Sequence, residues 1–355
     1  MATIPDAYLS LSDEEARERI LEVKRKLGNQ LLILGHHYQR PEIVALADRR
    51  GDSFGLSREA ADSSARFIVF CGVHFMAESA DILTSERQVV IHPNLNAGCP
   101  LADFAPLDQV EPMWERLVDV LGPGRVAPVT YVNSYAELKA FCGRNGGAAC
   151  TSSNAHKVFQ WALGRTEKLF FFPDENLGRN TVKRLGRRGL KVAVWDPELA
   201  DGGLTVSQML QTDVFLWKGY CHVHTWFQPE HVRKVRELDP QAIVIVHPEC
   251  REDVVELADH AGSTEFILKF VQSAPAGAHI AIGTEVNMVK RLATEFPDKR
   301  IYPLARSLCP NMFKISLQSV AWVLENLGEV NVVRVPEPVR SQARVALDRM
   351  LQLAA

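Results

Sequence analysis

Short runs of consecutive apolar residues punctuate the chain. LLILG (31–35), FIVFCG (67–72) and QVVIH (88–92) come first, then VAPVTYV (126–132), KLFFF (168–172) and KVAVW (191–195). AIVIVH (242–247), HIAIG (279–283) and RIYPL (300–304) complete the set. An alternating strand keeps one wet face, whereas an unbroken run of Val, Ile and Phe reads as a strand covered on both faces, as in a parallel sheet flanked by helices. The stretches between carry helical spacing: EIVALADRR (42–50), HFMAESADIL (74–83), DVVELADHA (253–261) and EVNMVKRLATEF (285–296). Strand and helix alternate throughout, which predicts an α/β fold.

The nine runs fall into three groups with the same punctuation. A loop bearing hydroxyls follows the first run of each group, as GDS (51–53), TSS (151–153) and GST (262–264), and a cysteine follows the last, as Cys99, Cys221 and Cys309. Ser53 to Cys99 and Ser263 to Cys309 each span 46 residues, while Ser152 to Cys221 spans 69. The excess matches an added segment, DPELADGGLTVSQMLQTDVFLWKG (196–219). Such self-similarity sets the architecture. It predicts three similar three-layer αβα domains with short parallel sheets, arranged pseudo-threefold around a central active site. Their expected extents are 1–105 (with an N-terminal helix), 106–228 and 229–335, with seams near Pro106 and Pro229; residues 336–355 are expected to form a helix packing back on the first domain. Ligands of open parallel sheets sit beyond the carboxyl ends of the strands. Polar residues gather there, at His36 to Gln39, Tyr131 to Ser134 and His247 to Glu249.

A chain of 355 residues exceeds what one core usually supports, in keeping with three units. The net charge of −3 and the lack of any basic run longer than LGRRGLK (185–191), read as a solvated helix end and loop, argue against a nucleic-acid partner. No apolar stretch approaches the ~18–20 residues a membrane helix needs, so no membrane partner is expected. The chain opens on a capping box, SDEE (12–15) with Ser12 at N-cap and Glu15 at N3, rather than on a signal peptide. A cytoplasmic location is expected, and seven cysteines there read as thiols or metal ligands, not as a disulfide framework.

Thiolates from three dispersed loops suit an iron–sulfur cluster, and a cubane held by three cysteines leaves one iron as an open Lewis acid. Packed thiols are the alternative for Cys99, Cys221 and Cys309. Cys71, Cys142 and Cys150 read as structural, and Cys250 is out of place in the repeat for a ligand. The loop hydroxyls Ser53, Thr151, Ser152, Ser263 and Thr264 serve either as helix caps or as anion donors, roles that are compatible. His36, Tyr38, His224, His247 and Glu249, with Tyr131 and Asn133 beside them, form a titratable set able to move protons in condensation and dehydration. His37, His92 and His222 read as hydrogen-bonded histidines only. There is no GxGxxG, GxxxxGK[ST] or HExxH.

GHHYQRPEIVALAD, GDS, GVHFMAESADIL, NAGCPLAD, YVNS, CTSSNA, PDENLG, GYCHVH, IVHPEC, GST, IGTEVNM and LCPNM occur in that order between about residues 30 and 315, and together resemble the quinolinate synthase family. The resemblance implies three similar α/β domains around a central pocket. It further implies an oxygen-sensitive [4Fe–4S] cluster on Cys99, Cys221 and Cys309. The reaction implied is condensation of iminoaspartate with dihydroxyacetone phosphate, with loss of phosphate and two waters, to give quinolinate for NAD biosynthesis. An aspartate oxidase or aspartate dehydrogenase would be the functional partner supplying iminoaspartate. Tyr38 and Glu249 would lead the acid–base steps. His36, His224 and His247 would orient substrate groups and relay protons. Tyr131, Asn133, Ser53, Ser152, Ser263 and Thr264 would hold the carboxylates and phosphate, and Met76 would line the pocket. Two departures stand out: His222 follows the second cysteine where some members have proline, and no cysteine pair adjoins Cys309, so a disulfide switch there is not expected. Another open-cluster dehydratase acting on a dicarboxylate is the competing enzyme reading. A cluster-bearing sensor would need an output element, and a zinc hydrolase would need close cysteine pairs; neither is found.

Overall fold

A computed structural model of the chain describes residues 3–187 and 189–353. Met1, Ala2, Ala354 and Ala355, at the ends of the expected first and last segments, and Arg188 of the basic run lie outside the described residues. The chain forms three separate sheets. The first contains β1 (Leu31–His36), β2 (Arg49–Gly51), β3 (Phe67–Cys71) and β4 (Val89–Ile91). The second contains β5 (Val126–Tyr131), β6 (Ala148–Cys150), β7 (Lys168–Phe172), β8 (Val192–Trp195) and β9 (Val214–Trp217). The third contains β10 (Ile243–Val246), β11 (His260–Ala261), β12 (His279–Gly283) and β13 (Arg300–Pro303). Each of these strands pairs parallel to its neighbours, with helices in between, and the central apolar runs are buried on both faces as expected, while β8 and β13 at sheet edges are only partly buried. The order is 2-1-3-4 in the first and third sheets, and β6-β5-β7-β9-β8 in the second.

Two corrections to the sequence pattern have physical causes. The stretches 42–50 and 253–261 are not helical throughout; they form one short helix each, Pro41–Val44 and Glu252–Leu257, and then an edge strand. An aspartate draws each chain to the sheet. Asp48 donates its N–H to the Ile33 carbonyl at 2.8 Å, and its carboxylate accepts the Ile33 N–H at 2.8 Å. Asp259 does the same with Val244, at 2.9 and 2.7 Å. The second correction concerns the insertion in the middle unit. KVAVW forms β8, a half-buried edge strand, while VFLW, inside the presumed insertion, forms the fully buried β9 next to β7. Thus β9, β4 and β13 are equivalent, and each leads to its unit's cysteine.

The chain then returns to the first sheet. Helix Leu317–Glu325 packs on the N-terminal helix Asp13–Leu27, whose capping box between Ser12 and Glu15 is formed, and β14 (Val332–Val333) adds antiparallel to β4. Helix Val339–Gln352, expected against the first unit, touches its helix His74–Leu83 but lies mainly along helix Ala136–Arg144 and β6 of the second. Gly143 permits that contact: a Cβ there would stand 2.0 Å from the Gln342 carbonyl oxygen. Among the described residues no helix is long and apolar enough to cross a membrane.

Candidate active site

The carboxyl ends of the three sheets meet at one cavity, as parallel-strand topology dictates. Strand register makes residues of the three units equivalent. His36 pairs with Gly51 and Tyr131 with Cys150, and Val246 with Ala261 places His247 opposite Gly262. Hence His36, Tyr131 and His247 occupy one position of the repeat, and Tyr38, Asn133 and Glu249 the position two residues on. Ser53, Ser152 and Thr264 are likewise equivalent. All nine line the cavity, with Met76, His224, Cys99, Cys221 and Cys309. Among the expected site residues Ser263 is the exception. Its hydroxyl caps helix Thr264–Ser273 by accepting the Phe266 N–H at 3.3 Å, so the capping role prevails there.

A hydrogen-bonded chain crosses the cavity wall. The Tyr131 hydroxyl donates to Glu249 Oε1 at 2.5 Å, and Glu249 Oε2 lies 2.9 Å from His224 Nδ1. His224 Nε2 lies 3.3 Å from the Tyr38 hydroxyl. The His224 ring stacks on His247 with centroids 4.3 Å apart. In the first and third units the same turn recurs: the Tyr38 N–H donates to His36 Nδ1 at 3.2 Å, and the Glu249 N–H to His247 Nδ1 at 3.3 Å. Both rings accept at Nδ1, so a neutral imidazole in either place carries its proton on Nε2, where it can donate to a ligand.

Burial governs the charges. It lowers His36 well below its usual value and holds His247 at about 3, so both stay neutral. It raises the Tyr38 and Tyr131 phenols, with the Glu249 charge adding to the effect. Burial also pushes Glu249 up, but the imidazoles of His224 and His247 and the hydrogen bonds from His224 and Tyr131 outweigh it and hold the carboxyl at about 2. Asp174, buried behind the cavity, moves the other way: desolvation and the Glu249 charge raise it well above the carboxylate range.

The seven cysteines fall into two sets. Cys71, Cys142, Cys150 and Cys250 are fully buried, whereas Cys99, Cys221 and Cys309 are half-buried and face the cavity. Burial raises all three cavity thiols, Cys99 to about 12, and the charges of Cys99 and Cys309 both act on Cys221. As free thiols they are protonated at neutral pH, and a bound metal would displace those protons. Three thiolates on one zinc ion would stand about 3.8 Å apart, given Zn–S bonds of about 2.3 Å and tetrahedral angles. Among the described residues the ligand atoms of Cys221, His224 and Glu249 lie within 4.8 Å of one another, close enough to share a single metal ion. The three cavity cysteines would offer an all-thiolate donor set, of the kind iron–sulfur clusters take.

The hydroxyl loops line the same cavity as the cysteines. Asp52 caps helix Ser53–Asp62 by accepting the Gly55 N–H at 2.7 Å, and its second oxygen accepts the Ser153 hydroxyl at 3.1 Å, tying the first unit to the second. Among the described residues lining the cavity there is no lysine or arginine. An anion would therefore be held by hydroxyls, imidazoles and helix N-termini. Sequence reasoning missed Asp52, Asp174, Thr284 and Glu285. Register reveals three of them, because Gly72, Pro173 and Thr284 are equivalent, as are Val73, Asp174 and Glu285. Asp174 and Glu285 cap the helices that follow, accepting the N–H of Leu177 and of Asn287, each at 2.7 Å. Of the histidines set aside, His37 lies 3.0 Å from Arg291, His92 lies 3.2 Å from the Gly72 carbonyl, and His222 Nε2 has no hydrogen-bond partner.

Three α/β units that converge on a buried pocket with paired acid–base groups define an enzyme of the thiol-lined, central-site kind. The chain belongs to the family described as Quinolinate synthetase A protein, whose model matches residues 18–352. It is 50% identical to the quinolinate synthase of Acidobacterium capsulatum over 98% of this chain and 95% of that protein. It is 48% identical to those of Herpetosiphon aurantiacus (98% and 95%) and Corynebacterium glutamicum (99% and 90%).

Proposed function

We propose that this enzyme is a cytoplasmic quinolinate synthase. It would condense iminoaspartate with dihydroxyacetone phosphate, releasing phosphate and two waters, and so feed NAD biosynthesis. An aspartate oxidase or dehydrogenase would supply the iminoaspartate. The observation that carries the reading is the pairing of one half-buried cysteine per unit with the Tyr38–His224–Glu249–Tyr131 chain in the same cavity.

Cys99, Cys221 and Cys309 would hold a [4Fe–4S] cluster, which when bound supplies an open Lewis-acid iron to a substrate oxygen or nitrogen. The protein does the rest. Ser53, Ser152 and Thr264, one per unit, offer hydroxyls and N–H groups to phosphate and carboxylates, with Tyr131 and Asn133 beside them. His36 and His247 donate from Nε2 to the same anions. Glu249, ionised at neutral pH, accepts a proton from carbon or oxygen, and the protonated Tyr38 phenol supplies one to a departing hydroxyl. Met76 closes one apolar wall. Among the described residues lining the cavity there is no lysine to form a protein Schiff base, and the nitrogen that joins the two substrates would be that of iminoaspartate.

Substrate omission tests the reading. Quinolinate should form anaerobically only when both substrates are present, and dihydroxyacetone without phosphate should not replace its ester. Dehydration of a dicarboxylate with no need for the phosphate ester would contradict it and favour the other open-cluster dehydratase.

A further inference from the structure

In each unit the helix that follows the middle strand (β3, β7 or β12) opens with the same main-chain bond to that unit's cysteine loop. The N–H of His74 donates to the Ala97 carbonyl at 2.9 Å, that of Glu175 to Gly219 at 2.9 Å and that of Val286 to Ser307 at 2.8 Å. Each accepting carbonyl lies two residues before its cysteine, so a donor that helix geometry leaves free ties the loop to its own unit. The residue before the donor differs: Val73, Asp174 or Glu285. Val73 offers no polar side chain. Asp174 caps its helix through one oxygen, and its other oxygen is buried with no hydrogen-bond partner. Burial raises that carboxyl, and the nearby Cys221 N–H only partly opposes the rise.

Glu285 is one methylene longer and reaches further. Its Oε2 caps the helix by accepting the Asn287 N–H at 2.7 Å, and its Oε1 accepts the Cys309 N–H at 3.4 Å. The Asn287 side-chain amide lies 3.3 Å from the same Oε1 and donates to the Tyr38 carbonyl at 3.2 Å. Both side chains are buried.

We infer that Glu285 is a positioning residue for the thiol site: its carboxyl holds the Cys309 main chain and, through Asn287, fixes that loop against the Tyr38 turn of the first unit. Capping alone needs one oxygen, as Asp174 shows in the second unit. The second oxygen of Glu285 is turned to the cysteine instead. Thiols from three separate loops must be ordered to share one metal centre, and a loop held before metal arrives lowers the entropy cost of assembling them.

The inference rests on the cluster reading for its loading readout only. Glu285→Asp draws the carboxyl back by one methylene, keeping a helix cap of the Asp174 kind while losing the Cys309 N–H. Glu285→Ala removes both contacts. In the metal-free protein, amide hydrogen exchange at Cys309, read by mass spectrometry, should quicken about three- to tenfold in both variants, the weight of one modest hydrogen bond. After anaerobic treatment with iron and sulfide, loss of the cluster to an iron chelator should quicken by a similar factor in both. The melting temperature should fall in the alanine variant and stay close to that of the wild type in the aspartate variant. An aspartate variant that matches the wild type in exchange at Cys309, or in cluster loss, would overturn the inference and leave Glu285 a cap only. A wild type that takes up no cluster would reject the cluster reading, and exchange at Cys309 would then decide the role of Glu285.

Discussion

The Tyr131 hydroxyl donates to the Glu249 carboxylate at 2.5 Å across the seam between the second and third sheets. That bond, with the facing imidazoles, holds Glu249 at about 2 against the upward pull of burial. Replacing Tyr131 with Phe removes one of the downward influences, so the Glu249 pKa must rise. The acid limb of the pH–rate profile should move up by about one unit, since a charged-group hydrogen bond is worth about that much. An unmoved limb would disconnect Glu249 from the rate.

Tyr38→Phe removes the proton donor without changing the cavity's shape. Cluster loading and substrate binding should persist, while turnover falls by roughly a hundredfold or more. Parallel measurements of iron content, KM and kcat check this, and full activity would end the role assigned to Tyr38.

His92 and His247 are buried and held at about 3, far below the usual histidine value of about 6.5. Folded-state values below the unfolded ones mean that the unfolded chain takes up protons first as pH falls. The stability gained by keeping these rings neutral is therefore complete above about pH 6.5 and is lost progressively toward pH 3. Each ring adds a slope approaching about 1.4 kcal/mol per pH unit within that window. His92→Gln, away from the cavity, should flatten the fall of melting temperature between pH 6.5 and 4; an unchanged slope would contradict the assignment.

Gly143→Ala inserts a methyl group against the Gln342 carbonyl, 2.0 Å from where its Cβ would lie. Two backbones in contact cannot both yield, so helix Val339–Gln352 must shift. A loss of roughly 1–3 kcal/mol is expected, read from chemical denaturation. A variant as stable as the wild type would show that the last helix adds little to the second unit.

The repeat was legible because the first and third units space their hydroxyl loop and cysteine alike, although the residue that lines the cavity in the third unit is Thr264 rather than Ser263, from which that spacing was counted. Cavity exposure also separates Cys99, Cys221 and Cys309 from the four buried cysteines. Less legible were the edge strands β2 and β11, where the Asp48 and Asp259 side chains bond backbone groups 15 residues away and override the local helical spacing. The buried status of VFLW as against KVAVW depends on which strand pairs with β7, a matter of topology that composition does not encode. Thr284 is one hydroxyl in an apolar strand end; only its approach to Tyr38, 246 residues earlier, gives it meaning.

The most direct test of the central claim is anaerobic. Wild-type protein and the Cys309→Ser variant are treated with iron and sulfide, then mixed with dihydroxyacetone phosphate and freshly generated iminoaspartate, and quinolinate and bound iron are measured together. A wild type that carries about four irons and forms quinolinate, beside a variant that loses both, is the predicted result. A cluster-loaded wild type that forms no quinolinate, or a variant that keeps both properties, would contradict it.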